Sequence, residues 1–133
     1  MLPEISGIAT KSYENARKAV AQFIGAKDAS QIVFTRNATE SLNLIAYSYG
    51  MNFIKEGDEI VVSVMEHHSN FLPWKQVAEK CGAVLKQLTP DENGEITDKS
   101  LEVITDKTKL VAVTQVSNVL GRRSEERRVG KEC

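Results

Sequence analysis

The feature that most constrains the fold is an apolar run without polar alternation, Ile60-Val61-Val62, inside the segment 59–64. A strand with one face in water alternates apolar and polar residues, so this run predicts a strand that is covered on both faces. Such strands belong to parallel sheets whose connections are helices. Strand-like and helical segments alternate on either side of it. The sequence therefore predicts an α/β fold: a mainly parallel sheet with flanking helices.

Local signals predict where each element begins and ends. Helices are predicted from about Thr10 to a cap at Gly25, from Asn37 to near Gly50, from Pro73 to Gly82, and from a cap at Asp98 through Ile104. Strands are predicted over residues 31–35, 59–64, 83–88 and 110–115. The order is α-β-α-β-α-β-α-β, which predicts right-handed crossovers between parallel strands.

Composition excludes several classes of protein. The 133 residues are about one domain, and 41% hydrophobic with 26% charged residues is typical of an ordinary globular chain. The net charge of -1 gives no field that would recruit nucleic acid or an anionic membrane. No apolar run is long enough to span a bilayer, and the first residues do not have the pattern of a signal peptide. With two cysteines a disulfide framework is excluded, and a cytoplasmic location is expected.

The last eleven residues, 123–133, break the pattern because they carry almost no apolar side chains. Their sequence resembles the translation of a sequencing adapter, so we expect a disordered, non-native tail after a domain of residues 1–122. The alternative is a basic arm that binds nucleic acid, but three glutamates interrupt its charge and no aromatic residue accompanies it. We assign no chemistry to Cys133.

Three segments follow predicted strand ends, where ligands bind in open α/β sheets. In the first, Asn37 caps a helix, with Glu40 three residues on; the free amides and the Thr39 hydroxyl suit a phosphate, although a capped helix needs no ligand.

In the second, His67 and His68 serve acid–base chemistry or make surface hydrogen bonds; a metal site is not expected, because further ligands are missing. In the third, Asn118 binds a ring oxygen or holds a turn. The Cys81 thiol is expected to be packed against the core rather than reactive.

Together, Phe34–Leu44, Met65–Trp74 and Val116–Gly121 resemble the class V aminotransferase family of pyridoxal-phosphate enzymes, and in particular Suf-type cysteine desulfurases. The likeness covers residues from about Ala9 to Gly121. It implies a partial large domain of the aspartate aminotransferase-like (type I) fold, truncated at both ends.

The resemblance also implies roles for individual residues. Thr39 and the backbone of Ala38 would bind the phosphate of pyridoxal 5'-phosphate, His67 would stack on its ring near the proton transfers, and Asn118 would contact the phenolic oxygen. The family usually has Gly-Thr-Thr-Glu where this sequence has Asn37-Ala38-Thr39-Glu40. One hydroxyl donor is therefore missing, which weakens the expected cofactor affinity.

For the complete protein the resemblance implies removal of sulfur from L-cysteine, which leaves L-alanine and an enzyme persulfide for iron–sulfur cluster assembly. It implies a homodimer and a sulfur-accepting scaffold or carrier protein. The family's cofactor-anchoring lysine and persulfide cysteine would come after Gly121, so the chain alone is expected to be inactive. The alternatives are a selenocysteine lyase, another member of the family, or a small non-catalytic α/β binding module.

Overall fold

The computed structural model describes residues 2–116, with side chains from Glu4 onward. The chain divides into two compact units at the boundary between Arg36 and Asn37. Among the described residues, no helix is both long enough and apolar enough to cross a membrane.

The first unit is built on one long helix, α1 (Leu2–Ile24), followed by a 3₁₀ helix at Ala29–Gln31. The helix begins well before the predicted start at Thr10. Pro3 lies in the first turn, where its missing N–H costs no hydrogen bond, and the helix also continues through Gly7. Gly25 ends it with φ of +75°, as predicted.

The predicted strand over residues 31–35 is wrong: Gln31 ends a 3₁₀ helix, and the backbone groups of Ile32 are satisfied locally. The N–H of Ile32 donates to the carbonyl of Ala29 at 3.0 Å, and the carbonyl of Ile32 accepts from Arg17 Nε at 3.1 Å. Arg17 also donates to the Ala29 carbonyl at 2.9 Å, while Glu14 binds the guanidinium at 2.9 Å. Ile32 is extended, but residues 32–35 join no strand in the described part of the chain.

The second unit contains a parallel sheet of three strands, β1 (Glu59–Ser63), β2 (Val84–Leu88) and β3 (Thr108–Ala112). Their order is β2-β1-β3, and β1 pairs in parallel with both neighbours. All five residues of β1 are buried, which confirms the strand covered on both faces. The register against β3 slips between Glu59 and Ile60, and β3 begins two residues before the predicted position.

Helix α2 (Ala38–Ile45) continues through a π-helical turn, Ala46–Gly50, into the single turn α3 (Met51–Phe53). The helical path thus runs past Gly50, which is buried. A Cβ at Gly50 would lie 2.9 Å from Val77 Cγ2 and 3.7 Å from Trp74 Cζ3. The absence of a side chain at this position allows the helical path to lie close to the helix that carries Val77.

That helix, α4 (Leu72–Cys81), has Pro73 in its first turn and ends at Gly82 with φ of +69°, as predicted. The last described helix, α5 (Asp98–Leu101), is shorter than expected, and its cap is Thr97 rather than Asp98. The Thr97 hydroxyl accepts from the Ser100 N–H at 3.3 Å, and Ser100 Oγ accepts from the Thr97 N–H at 3.2 Å. This reciprocal pair caps the helix one residue earlier than predicted, so the carboxylate of Asp98 is not the cap.

The core of the second unit lies between β1, β3 and α4. Its buried members are Ala46, Ile54, Ile60, Val62, Trp74, Val77, Ala78 and Ala112. Cys81 is half-buried at the edge of this cluster, with its thiol 3.9 Å from Met51 Sδ, as expected of a packed cysteine. The core therefore fixes the carboxyl ends of β1 and β3, where the polar loops begin.

Candidate active site

The carboxyl ends of β1 and β3 lie side by side, and we call this edge of the sheet the β1–β3 crevice. From β1 the chain crosses to β2 on one side, and then returns to add β3 on the other side of β1. Open α/β sheets bind ligands beyond the carboxyl ends of their strands, where the strand order reverses. The segment with His67 follows β1, and the segment that leads to Asn118 follows β3.

The start of α2 presents backbone donors without protein acceptors. Asn37 is extended, with φ of -164°, and its Oδ1 accepts from the Glu40 N–H at 2.9 Å, which confirms the predicted cap. Among the described residues, the N–H groups of Ala38 and Thr39 have no protein acceptor, as expected in a first helical turn. Both residues are exposed. Two amides and one hydroxyl are thus available at the positive end of the helix.

His67 is exposed and its ring is held by the turn that follows it. It caps the 3₁₀ helix His68–Asn70, where its Nδ1 accepts from the Ser69 N–H at 3.2 Å and lies 2.9 Å from Ser69 Oγ. A ring nitrogen can accept this bond only when it carries no proton, so the neutral ring bears its proton on Nε2. Nε2 is the nitrogen left to face a ligand.

Glu66, which precedes His67, bridges the crevice between the two strand ends. Its Oε1 accepts from the Ser63 hydroxyl at 2.6 Å and from the backbone N–H of Thr114, beyond β3. Its Oε2 accepts from Asn70 Nδ2 at 2.8 Å. The sequence did not single out this residue. Its position in the loop after a buried strand was the one available signal, because its partner at Thr114 is 48 residues away.

The structure brings two of the three candidate segments together. Helix α2 lies against the 3₁₀ helix that follows His67. The segment after β3 also reaches the His67 segment, because the Thr114 N–H donates to the carboxylate of Glu66, the residue before His67. Asn118 lies outside the described residues, as does the tail 123–133.

Within the described residues, the two histidines belong to no metal cluster, and a cavity lies away from them. The rings of His67 and His68 have centroids 6.2 Å apart and planes inclined by 61°. Between residues 2 and 116, no three His, Cys, Asp or Glu side chains come close enough together to hold a metal ion. A cavity of about 410 Å³ lies elsewhere, between the end of β2 and α5, and its lining includes Gln87, Asp91 and Lys99.

Comparisons with known proteins agree with this architecture. The family model described as Aminotransferase class-V matches residues 1–133. A probable cysteine desulfurase of Synechocystis sp. is 51% identical over 119 residues, which are 89% of this chain and 28% of that protein. A probable cysteine desulfurase of Staphylococcus aureus is 48% identical over 118 residues, which are 88% of this chain and 29% of that protein.

Solved structures agree in fold. The apo cysteine desulfurase of Thermococcus onnurineus NA1 superposes with a TM-score of 0.80 at 46% identity, over 90% of this chain and 30% of that one. The Escherichia coli cysteine desulfurase CsdA gives 0.75 at 42% identity, over 87% of this chain and 29% of that one.

This chain thus spans less than a third of the length of these relatives. The expected α/β fold class, part of the aspartate aminotransferase-like fold, is confirmed. The chain belongs to the class-V aminotransferase family.

Proposed function

We propose that this chain forms part of the pyridoxal 5'-phosphate site of a cysteine desulfurase. Cysteine desulfurases of this family depend on that cofactor. The observation that carries the proposal is the contact between α2, with its available amides, and the turn that follows His67, beside the β1–β3 crevice. A phosphate donor set and an exposed aromatic ring therefore belong to neighbouring segments.

The donors present fit a phosphorylated pyridine. The Ala38 and Thr39 amides and the Thr39 hydroxyl would bind the phosphate, because N–H groups at a helix N-terminus favour an anion. The flat, exposed ring of His67 would lie on the pyridine face, and Asn118 would donate to the phenolic oxygen. When bound, the cofactor supplies an aldehyde and an electron-accepting ring. His67 would hold or move a proton at its Nε2.

For the complete protein we propose that sulfur leaves L-cysteine to give L-alanine and an enzyme persulfide. A sulfur acceptor would then carry it to iron–sulfur cluster assembly, and the working form would be a cytoplasmic homodimer. The percentage identities to desulfurases from four organisms support this substrate class. The present chain would bind the cofactor's phosphate and ring without turnover.

The binding-module alternative is less well supported by surface exposure. A self-contained module buries its large apolar side chains, whereas Phe23 is 90% and Phe53 is 62% exposed. Surfaces of this kind are typical of segments that other parts of a larger fold cover.

The proposal is tested by calorimetric titration of the chain with pyridoxine 5'-phosphate. This analogue has an alcohol in place of the aldehyde, so it cannot react with surface lysines. Thr39→Val keeps the shape and removes the hydroxyl, and a hydrogen bond to a charged group is worth about 1.5–3 kcal/mol, so a loss of about tenfold or more in affinity is expected. Thr10→Val, at an exposed position of α1, is the matched control and should bind like the wild type.

Inorganic phosphate should compete with the analogue if the helix start is the binding site. Equal affinities of Thr39→Val and the wild type would contradict the assignment of the phosphate site. For the complete protein, the assay is release of sulfide and L-alanine from L-cysteine, and selenide formed from selenocysteine with no activity on cysteine would favour the lyase instead.

A further inference from the structure

We propose that Glu66 is a positioning residue of this site: its carboxylate holds the His67 segment to the end of β3 through a hydrogen-bond chain of fixed direction. The inference rests on the proposed function for its ligand, although the chain of bonds stands on its own geometry. The hydrogen bonds of the Glu66 carboxylate go to Ser63, Asn70 and Thr114, so it acts on the site through other residues.

Three donors converge on the Glu66 carboxylate from three segments. The Ser63 hydroxyl is at the end of β1, the Thr114 N–H follows β3, and the Asn70 amide closes the 3₁₀ helix. Ser63 is buried and the other partners are half-buried. This one side chain therefore joins the end of β1 to the segment after β3. The bonds are strong, because hydrogen bonds to an ionised acceptor are about twice as strong as neutral ones.

Trp74 fixes the donor-to-acceptor direction of these hydrogen bonds. Its indole N–H can only donate, and it donates to Asn70 Oδ1 at 3.0 Å. Asn70 must then point its Nδ2 at Glu66, at 2.8 Å, so position 66 has to accept on this side. Oε1 must also accept, because the Thr114 N–H and the Ser63 hydroxyl face it. A carboxylate satisfies these demands, whereas a glutamine would turn its NH₂ toward a donor.

The same bonds enclose His67. The backbone N–H of Asn70 donates to the His67 carbonyl at 2.9 Å, and Glu66 precedes the histidine, so both sides of His67 are tied to one carboxylate. On the other side of the crevice, Thr114 Oγ1 donates to the Val116 carbonyl at 2.8 Å. Glu66 therefore positions the His67 ring relative to the segment that leads to Asn118.

The test exchanges the carboxylate at position 66 and the amide at position 70, so that the donor and the acceptor of the hydrogen bond between them trade places. Glu66→Gln leaves two donors facing each other, and Asn70→Asp leaves two carboxylates facing each other, so each single variant should bind pyridoxine 5'-phosphate about tenfold more weakly. In the double variant, the new amide at position 66 donates to the new carboxylate at position 70, which still accepts from Trp74. Affinity should therefore return to within about threefold of wild type. Glu79→Gln, at an exposed position of α4, is the matched control.

Nuclear magnetic resonance gives a readout that needs no ligand. In Glu66→Gln, exchange of the Thr114 amide should quicken and the Trp74 indole N–H and His67 ring nitrogens should shift, while the Val77 amide stays unchanged. The three perturbed signals should revert in the double variant. Because the double variant restores every bond, it also separates loss of the bond chain from a general failure to fold.

Recovery in the double variant, in both affinity and ring-nitrogen shifts, would support the positioning role. Wild-type affinity in Glu66→Gln, or a double variant no better than the single ones, would overturn it. If the wild-type chain binds no pyridoxine 5'-phosphate, the proposed function of this site fails, and the Thr114 and His67 signals then decide the role of Glu66 independently.

Discussion

Gly50 offers the sharpest test of how the second unit is packed. In Gly50→Ala, the new Cβ would lie 2.9 Å from Val77 Cγ2 and 3.2 Å from Val77 Cγ1, whereas comfortable carbon contacts are about 3.5–4.0 Å. Val77 is fully buried, and a valine in a helix has one strongly preferred rotamer, so it cannot turn away. Either α4 or the π-helical turn has to shift.

The expected magnitude follows from two opposing terms. Overpacking costs about 1–3 kcal/mol, and replacing glycine by alanine in a helix returns about 0.5–1 kcal/mol. The free energy of unfolding should therefore fall by about 1 kcal/mol. With a slope of about 1–3 kcal/mol per molar urea, the urea midpoint should drop by about 0.5 M.

The assay is urea unfolding followed by Trp74 fluorescence, since Trp74 is the one tryptophan and lies in the same core. Gly7→Ala is the matched control, because a Cβ there meets nothing within 4 Å, and it should be neutral or stabilising. In a Val77→Ala background the clash disappears, so Gly50→Ala should become stabilising there. If Gly50→Ala raises the midpoint in the wild-type background, or if the two changes are additive, the packing argument is refuted.

Two further predictions concern electrostatics and capping. The ion pair with Lys86, at 2.8 Å, and the Thr105 hydroxyl hold the pKa of Glu59 below its usual 4.5, so this stabilisation is present above that pH and is lost as pH falls through the lower folded pKa. Glu59→Gln should therefore flatten the loss of urea midpoint below pH 4.5, and an unchanged acid limb would contradict this. Asn37→Ala should cost about 1 kcal/mol of unfolding free energy by removing the cap of α2, and should also weaken binding of pyridoxine 5'-phosphate; Asn93→Ala, at an exposed turn, is the control.

Sequence reasoning succeeded where a local signal decides the structure. Gly82 and Pro73 mark the ends of α4 because each acts through its own backbone, and the run Ile60–Val62 gives a covered strand because side-chain polarity alone reports burial on both faces. It failed at residues 31–35, because an extended run becomes a strand only if a neighbour can pair with it, and here Arg17 binds the Ile32 carbonyl instead.

The candidate site divides in the same way. The cap at Asn37 and the location of His67 after a strand follow from short-range patterns. The role of Glu66 depends on the Thr114 N–H, which the fold brings from 48 residues away, and the position of Glu66 after a strand does not reveal that partner. Likewise, the small residue at Gly50 has meaning only through Val77 on another helix.

The bond between Glu66 and Thr114 also carries a consequence for the sequence of assembly. Strands β1 and β2 can pair as soon as the intervening helix has formed, but the carboxylate stays short of one partner until β3 joins, 48 residues along the chain. Contacts of such long range form late because closing the intervening loop costs entropy first. We therefore expect the turn around His67 to reach its final shape late in folding, and a chain that ended before Thr114 would lack one donor to the Glu66 carboxylate.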